Sequence, residues 1–144
     1  MNDDLFLIDT NILVYAFDNT EKIKQRVALG ILNECFDGKK IYALSSQNLA
    51  EFFVVITKKI GAPIPIENAK NIILKIIEFN GFKKLNYDQG TIIKSMSLLE
   101  RLNLKFWDSL IIATMLENSV FNIYTENEKD FNKVKNINVI NPFK

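Results

Sequence analysis

Short apolar runs alternating with longer segments of helical period most constrain what this chain can fold into. Leu5-Phe6-Leu7-Ile8 is continuously apolar and closes on Asp9, the pattern of a strand buried on both faces. Helical patterns follow over residues 12–17 and 21–36, with Asn19 or Thr20 placed to cap the second. Gly38 marks a turn into a strand over 41–44. Ser46 then opens a helix that runs to about Ile60 and stops at Gly61 and Pro63. The next helix, 65–79, has Pro at its start and Gly81 just past its end. A short strand over 82–85, helices over 88–102 and 106–117, and strands over 120–124 and 137–140 complete the chain. Strands and helices in this order predict an α/β fold with a largely parallel sheet and right-handed crossovers. No linker, repeat or low-complexity tract interrupts the pattern, so residues 1–144 read as one domain.

Composition narrows the chemistry. The 144 residues include no histidine and one cysteine, Cys35. Imidazole acid–base catalysis, His-bearing zinc sites, internal disulfides and thiolate clusters are therefore excluded. Carboxylates, hydroxyls, amides or lysines must carry any reaction, and carboxylates suit hard cations such as Mg²⁺. Eighteen basic against seventeen acidic residues give a net charge of +1, too balanced to bind nucleic acid by net charge alone. Asp3 and Asp4 stand where a signal peptide would carry positive charge. The apolar run 110–116 is far shorter than the ~20 residues that span a bilayer. A soluble, cytoplasmic protein is expected.

Four acidic positions stand out by context. Asp9 closes a buried strand, where ligands collect in parallel sheets, although a helix cap is the plainer reading. Asp108 sits in the first turn of Phe106-Trp107-Asp108-Ser109-Leu110-Ile111-Ile112-Ala113, a helix apolar nearly all round. Burying its carboxylate unpaired would cost several kcal/mol, yet a first-turn acid also suits the helix dipole. Glu51 lies well round its helix from the apolar face of Leu49, Phe52 and Ile56, which by position makes it a solvated glutamate. The stretch Thr125-Glu126-Asn127-Glu128-Lys129-Asp130 follows a strand and falls at the same sheet edge as Asp9, either as a charged loop or as part of a site. Two like charges ~4 Å apart repel by about 4 kcal/mol at an effective dielectric near 20. Acids gathered at one edge therefore stay ionised together only around a cation.

Leu7-Ile8-Asp9-Thr10-Asn11-Ile12-Leu13, Leu49-Ala50-Glu51-Phe52, Trp107-Asp108-Ser109-Leu110-Ile111-Ile112-Ala113 and Tyr124-Thr125 through Asp130-Phe131 together resemble a PIN domain, and within it the VapC type of toxin ribonuclease. The resemblance covers nearly the whole chain in the family's order. It implies a five-stranded parallel sheet flanked by helices and an endoribonuclease dependent on Mg²⁺ or Mn²⁺. It places the metal-site acids on Asp9, Glu51 and Asp108. The fourth falls on Asp130, with Glu126 the alternative, because Asn127 stands where many members carry Asp. Asn11 and Thr125 become hydrogen-bonding supports. Lys39, Lys40, Lys58, Lys59, Lys83 and Lys84 are candidate phosphate contacts. The VapC type further implies an RNA substrate, a small antitoxin partner and a homodimer. A PIN nuclease of RNA maturation and a receiver-like signalling module are the alternatives. Against the receiver, Asp3-Asp4 precedes the first strand and no mid-chain strand ends in Asp.

Overall fold

The computed structural model describes residues 4–144; Asp3 lies outside them. Twelve elements succeed one another: β1 (Phe6–Ile8), α1 (Thr10–Ala16), α2 (Lys22–Phe36), β2 (Tyr42–Ser45), α3 (Ser46–Lys58), α4 (Ile66–Glu78), β3 (Phe82–Leu85), α5 (Gln89–Leu102), α6 (Phe106–Glu117), β4 (Asn122–Tyr124), α7 (Glu128–Phe131) and β5 (Asn138–Ile140). The strands form one five-stranded sheet in the order β3-β2-β1-β4-β5, and every pairing is parallel. The expected α/β architecture is present.

Strand alternation divides the core in two. Ile8, Tyr42, Leu44 and Phe82 point to one face, where α1, α2, α3 and α4 cover them through Leu13, Leu32, Phe52 and Ile76. Leu7, Ala43, Leu85 and Ile123 point to the other, against Leu98 of α5, Ile112 and Met115 of α6 and Phe131 of α7. Helix α6 is buried from Ser109 through Met115, as its all-round apolar sequence requires.

Parallel pairing puts every strand's carboxyl end at one edge. The β1–β4 register aligns Phe6 with Asn122 and Ile8 with Tyr124, so Asp9 and Thr125 leave the sheet side by side. Between these two strands the sheet order reverses direction, the switch point where open α/β sheets bind ligands. Helix α6 runs back across the sheet before β4 begins, so its first turn lies over the same edge.

Helix caps correct parts of the sequence reading. Ser45, not Ser46, caps α3: its Oγ accepts from Asn48 N at 3.0 Å, and the Asn48 side chain accepts from Ser45 N at 3.1 Å. Neither Asn19 nor Thr20 caps α2; Asp18 Oδ1 instead accepts from Thr20 N and Thr20 Oγ1 in the turn before it. Residues 128–131, expected to be loop, form the single turn α7. Ser45 is buried, so Ser45→Ala leaves the Asn48 amide N–H without its acceptor. The substitution should lower stability by about 0.5–2 kcal/mol, read as a lower urea midpoint with an unchanged slope.

Candidate active site

Asp9 caps α1 and also faces the cleft at the carboxyl edge, so both readings of this residue hold. Only 7% exposed, its carboxylate is filled by donors. Oδ1 accepts from Thr10 N at 2.8 Å and from Asn48 Nδ2 at 3.5 Å. Oδ2 accepts from Thr125 Oγ1 at 2.7 Å and from Asn11 Nδ2 at 3.3 Å. Burial nevertheless holds its pKa above the usual carboxylate value, against the pull of these bonds.

Glu51 is half-buried and lines the same cleft, which corrects its reading as a solvated residue. Its Oε1 accepts from Gln47 Nε2 at 3.2 Å and Thr10 Oγ1 at 3.4 Å. Thr10 Oγ1 in turn accepts from Asn48 Nδ2 at 3.0 Å, which ties α3 to α1. Desolvation, reinforced by the charge of Asp9, raises the Glu51 pKa.

Asp108 and Asp130 form a pair. Their carboxyls share a hydrogen bond, and Asn127 Nδ2 spans both, 3.2 Å from Asp108 Oδ2 and 3.4 Å from Asp130 Oδ2. Desolvation, then the contact with Asp130 and the charge of Asp9, pushes Asp108 up to about 6. Burial also raises Asp130, but bonds from Asn127, Asp108 and Lys133 outweigh it and leave its pKa below the ordinary value.

Glu126 is directed elsewhere. Its carboxylate is paired with Lys24 and accepts from Tyr15 Oη at 2.7 Å, and these bonds pull its pKa down against burial. Of the six candidate lysines only Lys59 lines the cleft, a hollow of about 560 Å³ that also holds Asp9, Glu51 and Asp108. Lys39, Lys40 and Lys83 line a different hollow with Asp4 and Phe6, and Lys84 donates to the Phe79 carbonyl.

The sequence reading missed Asn48 and Gln47, both buried and both facing the acids. The signal was present: two amides in the first turn of a helix that follows a wholly buried strand. Asn127 was read as a missing acid and is instead the donor that joins Asp108 to Asp130.

Residues 6–137 match the family model of the PIN domain. The chain belongs to the PIN domain family. No curated protein matches the sequence. Among solved structures, a toxin–antitoxin complex from Klebsiella pneumoniae is similar at 23% identity and a TM-score of 0.65, over 95% of this chain and 97% of that one. FitAB bound to an IR36 DNA fragment superposes with a TM-score of 0.71 at 18% identity, over 96% of each chain. VapC20 of Mycobacterium tuberculosis, a toxin that cleaves the sarcin–ricin loop, is 13% identical with a TM-score of 0.63, over 89% of this chain and 93% of that one. At these identities the likeness is one of fold.

An Asp raised to about 6 binds its proton more tightly folded than unfolded, where its ordinary value is 3.8. Ionising it thus costs the fold stability as pH rises from about 4 through 6. In metal-free buffer, Asp108→Asn should gain thermal stability relative to the parent across that window, with a constant gap above about pH 7. Parallel melting curves from pH 4 to 8 check this; a gap that does not open removes the strained carboxyl.

Proposed function

We propose that this PIN domain is a divalent-metal-dependent endoribonuclease and the toxin of a two-component pair. The observation that carries the reading is the gathering of Asp9, Glu51, Asp108 and Asp130 at the β1–β4 switch point with so little cationic compensation. Among the described residues, Lys133 on Asp130 is the only cation paired with any of the four. Burial raises the pKa values of three of them, Asp9, Glu51 and Asp108, and the charge of Asp9 adds to the rise at the other two.

The donor set fits Mg²⁺ or Mn²⁺: all oxygen, no imidazole and no thiolate. Among the described residues, no three acids stand close enough together to hold a metal ion as they are placed. Mg²⁺ takes one or two carboxylates directly and completes its shell with water and substrate phosphate. Asp9 and Asp108 would hold the ion directly, and Glu51 and Asp130 through water or at a second position. Bound there, the ion supplies positive charge to a phosphodiester oxygen and lowers the pKa of attacking water.

The chain's own groups do the rest. Four donors lock the Asp9 carboxylate in one orientation, so it pays no reorganisation when charge arrives. The Asn127 amide keeps Asp108 and Asp130 adjacent. Lys59, at the cleft's rim, offers a cation to the substrate backbone. Water adds across a P–O bond, leaving one phosphate monoester and one free hydroxyl.

The toxin role is supported by the neighbouring folds, several of which are toxins held with their antitoxins. An antitoxin and a homodimeric state belong to this reading. A PIN nuclease of RNA maturation shares the chemistry and differs in leaving growth unaffected when produced alone.

The pure protein should cut an RNA pool in Mg²⁺, and EDTA, Asp9→Asn or Asp108→Asn should each reduce cutting to background. Cleavage that survives EDTA and Asp9→Asn overturns the assignment. Thr125→Val and Asn48→Ala, which free Asp9, should lower the rate by roughly 10–100-fold. Glu126→Gln should leave it within a few-fold, because Lys24 and Tyr15 already occupy that carboxylate. Production of the protein alone should arrest growth, and Asp9→Asn should relieve the arrest.

A further inference from the structure

Beside the acid cleft lies a second hollow of about 610 Å³, an apolar trough whose walls include Trp107, Tyr87 and Val54. The two are continuous, since Glu51, Val55 and Lys59 line both. Trp107 is 59% exposed and Tyr87 38%, high for aromatic side chains with no evident structural duty. The Trp107 ring is braced edge-on against Phe106 at 5.1 Å, so it is presented instead of folded away.

Gln47 joins trough to cleft. It is 6% exposed, and its Nε2 donates to the Trp107 carbonyl at 3.0 Å and to Glu51 Oε1 at 3.2 Å. With both amide protons used, its Oε1 stays buried without a hydrogen-bond partner, so the amide is held by its donors alone. Lys59, at the junction, makes no ion pair among the described residues. An exposed aromatic surface and a cation without an ion pair in one trough match two parts of a nucleotide, the π-face and the phosphate. A purely apolar protein anchor would leave the lysine unanswered.

We propose that the Trp107–Tyr87 trough is a nucleobase-stacking subsite for a nucleotide flanking the phosphodiester that the acids engage. The inference rests on the ribonuclease reading and adds to it where the neighbouring base sits. A strand crossing the acids continues past Glu51 into the trough, stacks a base on Trp107 and Tyr87, and sets a backbone phosphate against Lys59.

Trp107 is the chain's single tryptophan, so its emission reports this subsite directly. Asp108→Asn protein in Mg²⁺ is titrated with a short single-stranded oligoribonucleotide, following anisotropy for binding and tryptophan emission for stacking. The expected result is quenching that saturates with binding, and its loss with an oligomer made abasic at the flanking position. In the otherwise native enzyme, Trp107→Ala should raise KM about fivefold to a hundredfold with kcat little changed, and Trp107→Phe should recover most of the loss. RNA that binds or is cut with emission unchanged and KM unaffected by Trp107→Ala overturns the subsite while leaving the ribonuclease reading intact. Emission that shifts with protein concentration alone, matched by dimer in sedimentation, also overturns it, because a second copy then covers the trough. RNA neither bound nor cut removes both together.

Discussion

The parallel pairing of β1 with β4 is the constraint on which the rest of the site depends. These strands lie more than a hundred residues apart in sequence, and their register alone decides what stands beside Asp9. The Asp9 backbone N–H donates to the Tyr124 carbonyl at 3.0 Å, and Thr125 Oγ1 reaches the Asp9 carboxylate. A slip of one residue would turn Thr125 to the other face and strip the buried carboxylate of its shortest bond. Sheet hydrogen bonding thus does the work of orienting an acid.

Around that pair the fold gathers polar groups that apolar packing would otherwise exclude. Ser45 caps α3 and so fixes Asn48, which reaches back to Asp9 and Thr10. Gln47, one residue earlier, ties the start of α3 to the start of α6 through the Trp107 carbonyl. Each amide meets groups from other elements, so a cost of burial that one would carry alone is offset across the cluster. Asp9, Glu51 and Asp108 line one cleft, and burial raises the proton affinity of each, while Asp130 is held below its ordinary value.

Much of this was legible in the residues. Continuous apolar runs marked the strands, and a helix without a polar side marked α6 as buried, which made Asp108 conspicuous. Asp9's place at the end of a strand made it a candidate. The motif order identified the family, and through it Glu51. Other features were hidden for physical reasons. Glu51 owes its half-buried state to α1, whose Thr10 is 41 positions away, and helical periodicity cannot report on a neighbour so distant in sequence. Residues 128–131 make a single turn, too short to show any period. Asn127 looked like an acid lost, and only the placement of α7 beside α6 reveals a donor spanning two carboxyls.

The Lys24–Tyr15–Glu126 cluster has a consequence for the cleft it borders. Lys24 lies over the Tyr15 ring at 4.8 Å while it neutralises Glu126, and Tyr15 itself lines the cleft. A lysine on α2 thereby occupies the carboxylate of one acid in the loop after β4. Glu126, in the loop after β4, pairs with Lys24, while Asp130, four positions on in α7, pairs with Lys133 and meets Asp108. Glu126 thus has its cation in place before any ligand arrives, and it stands apart from the acids of the cleft.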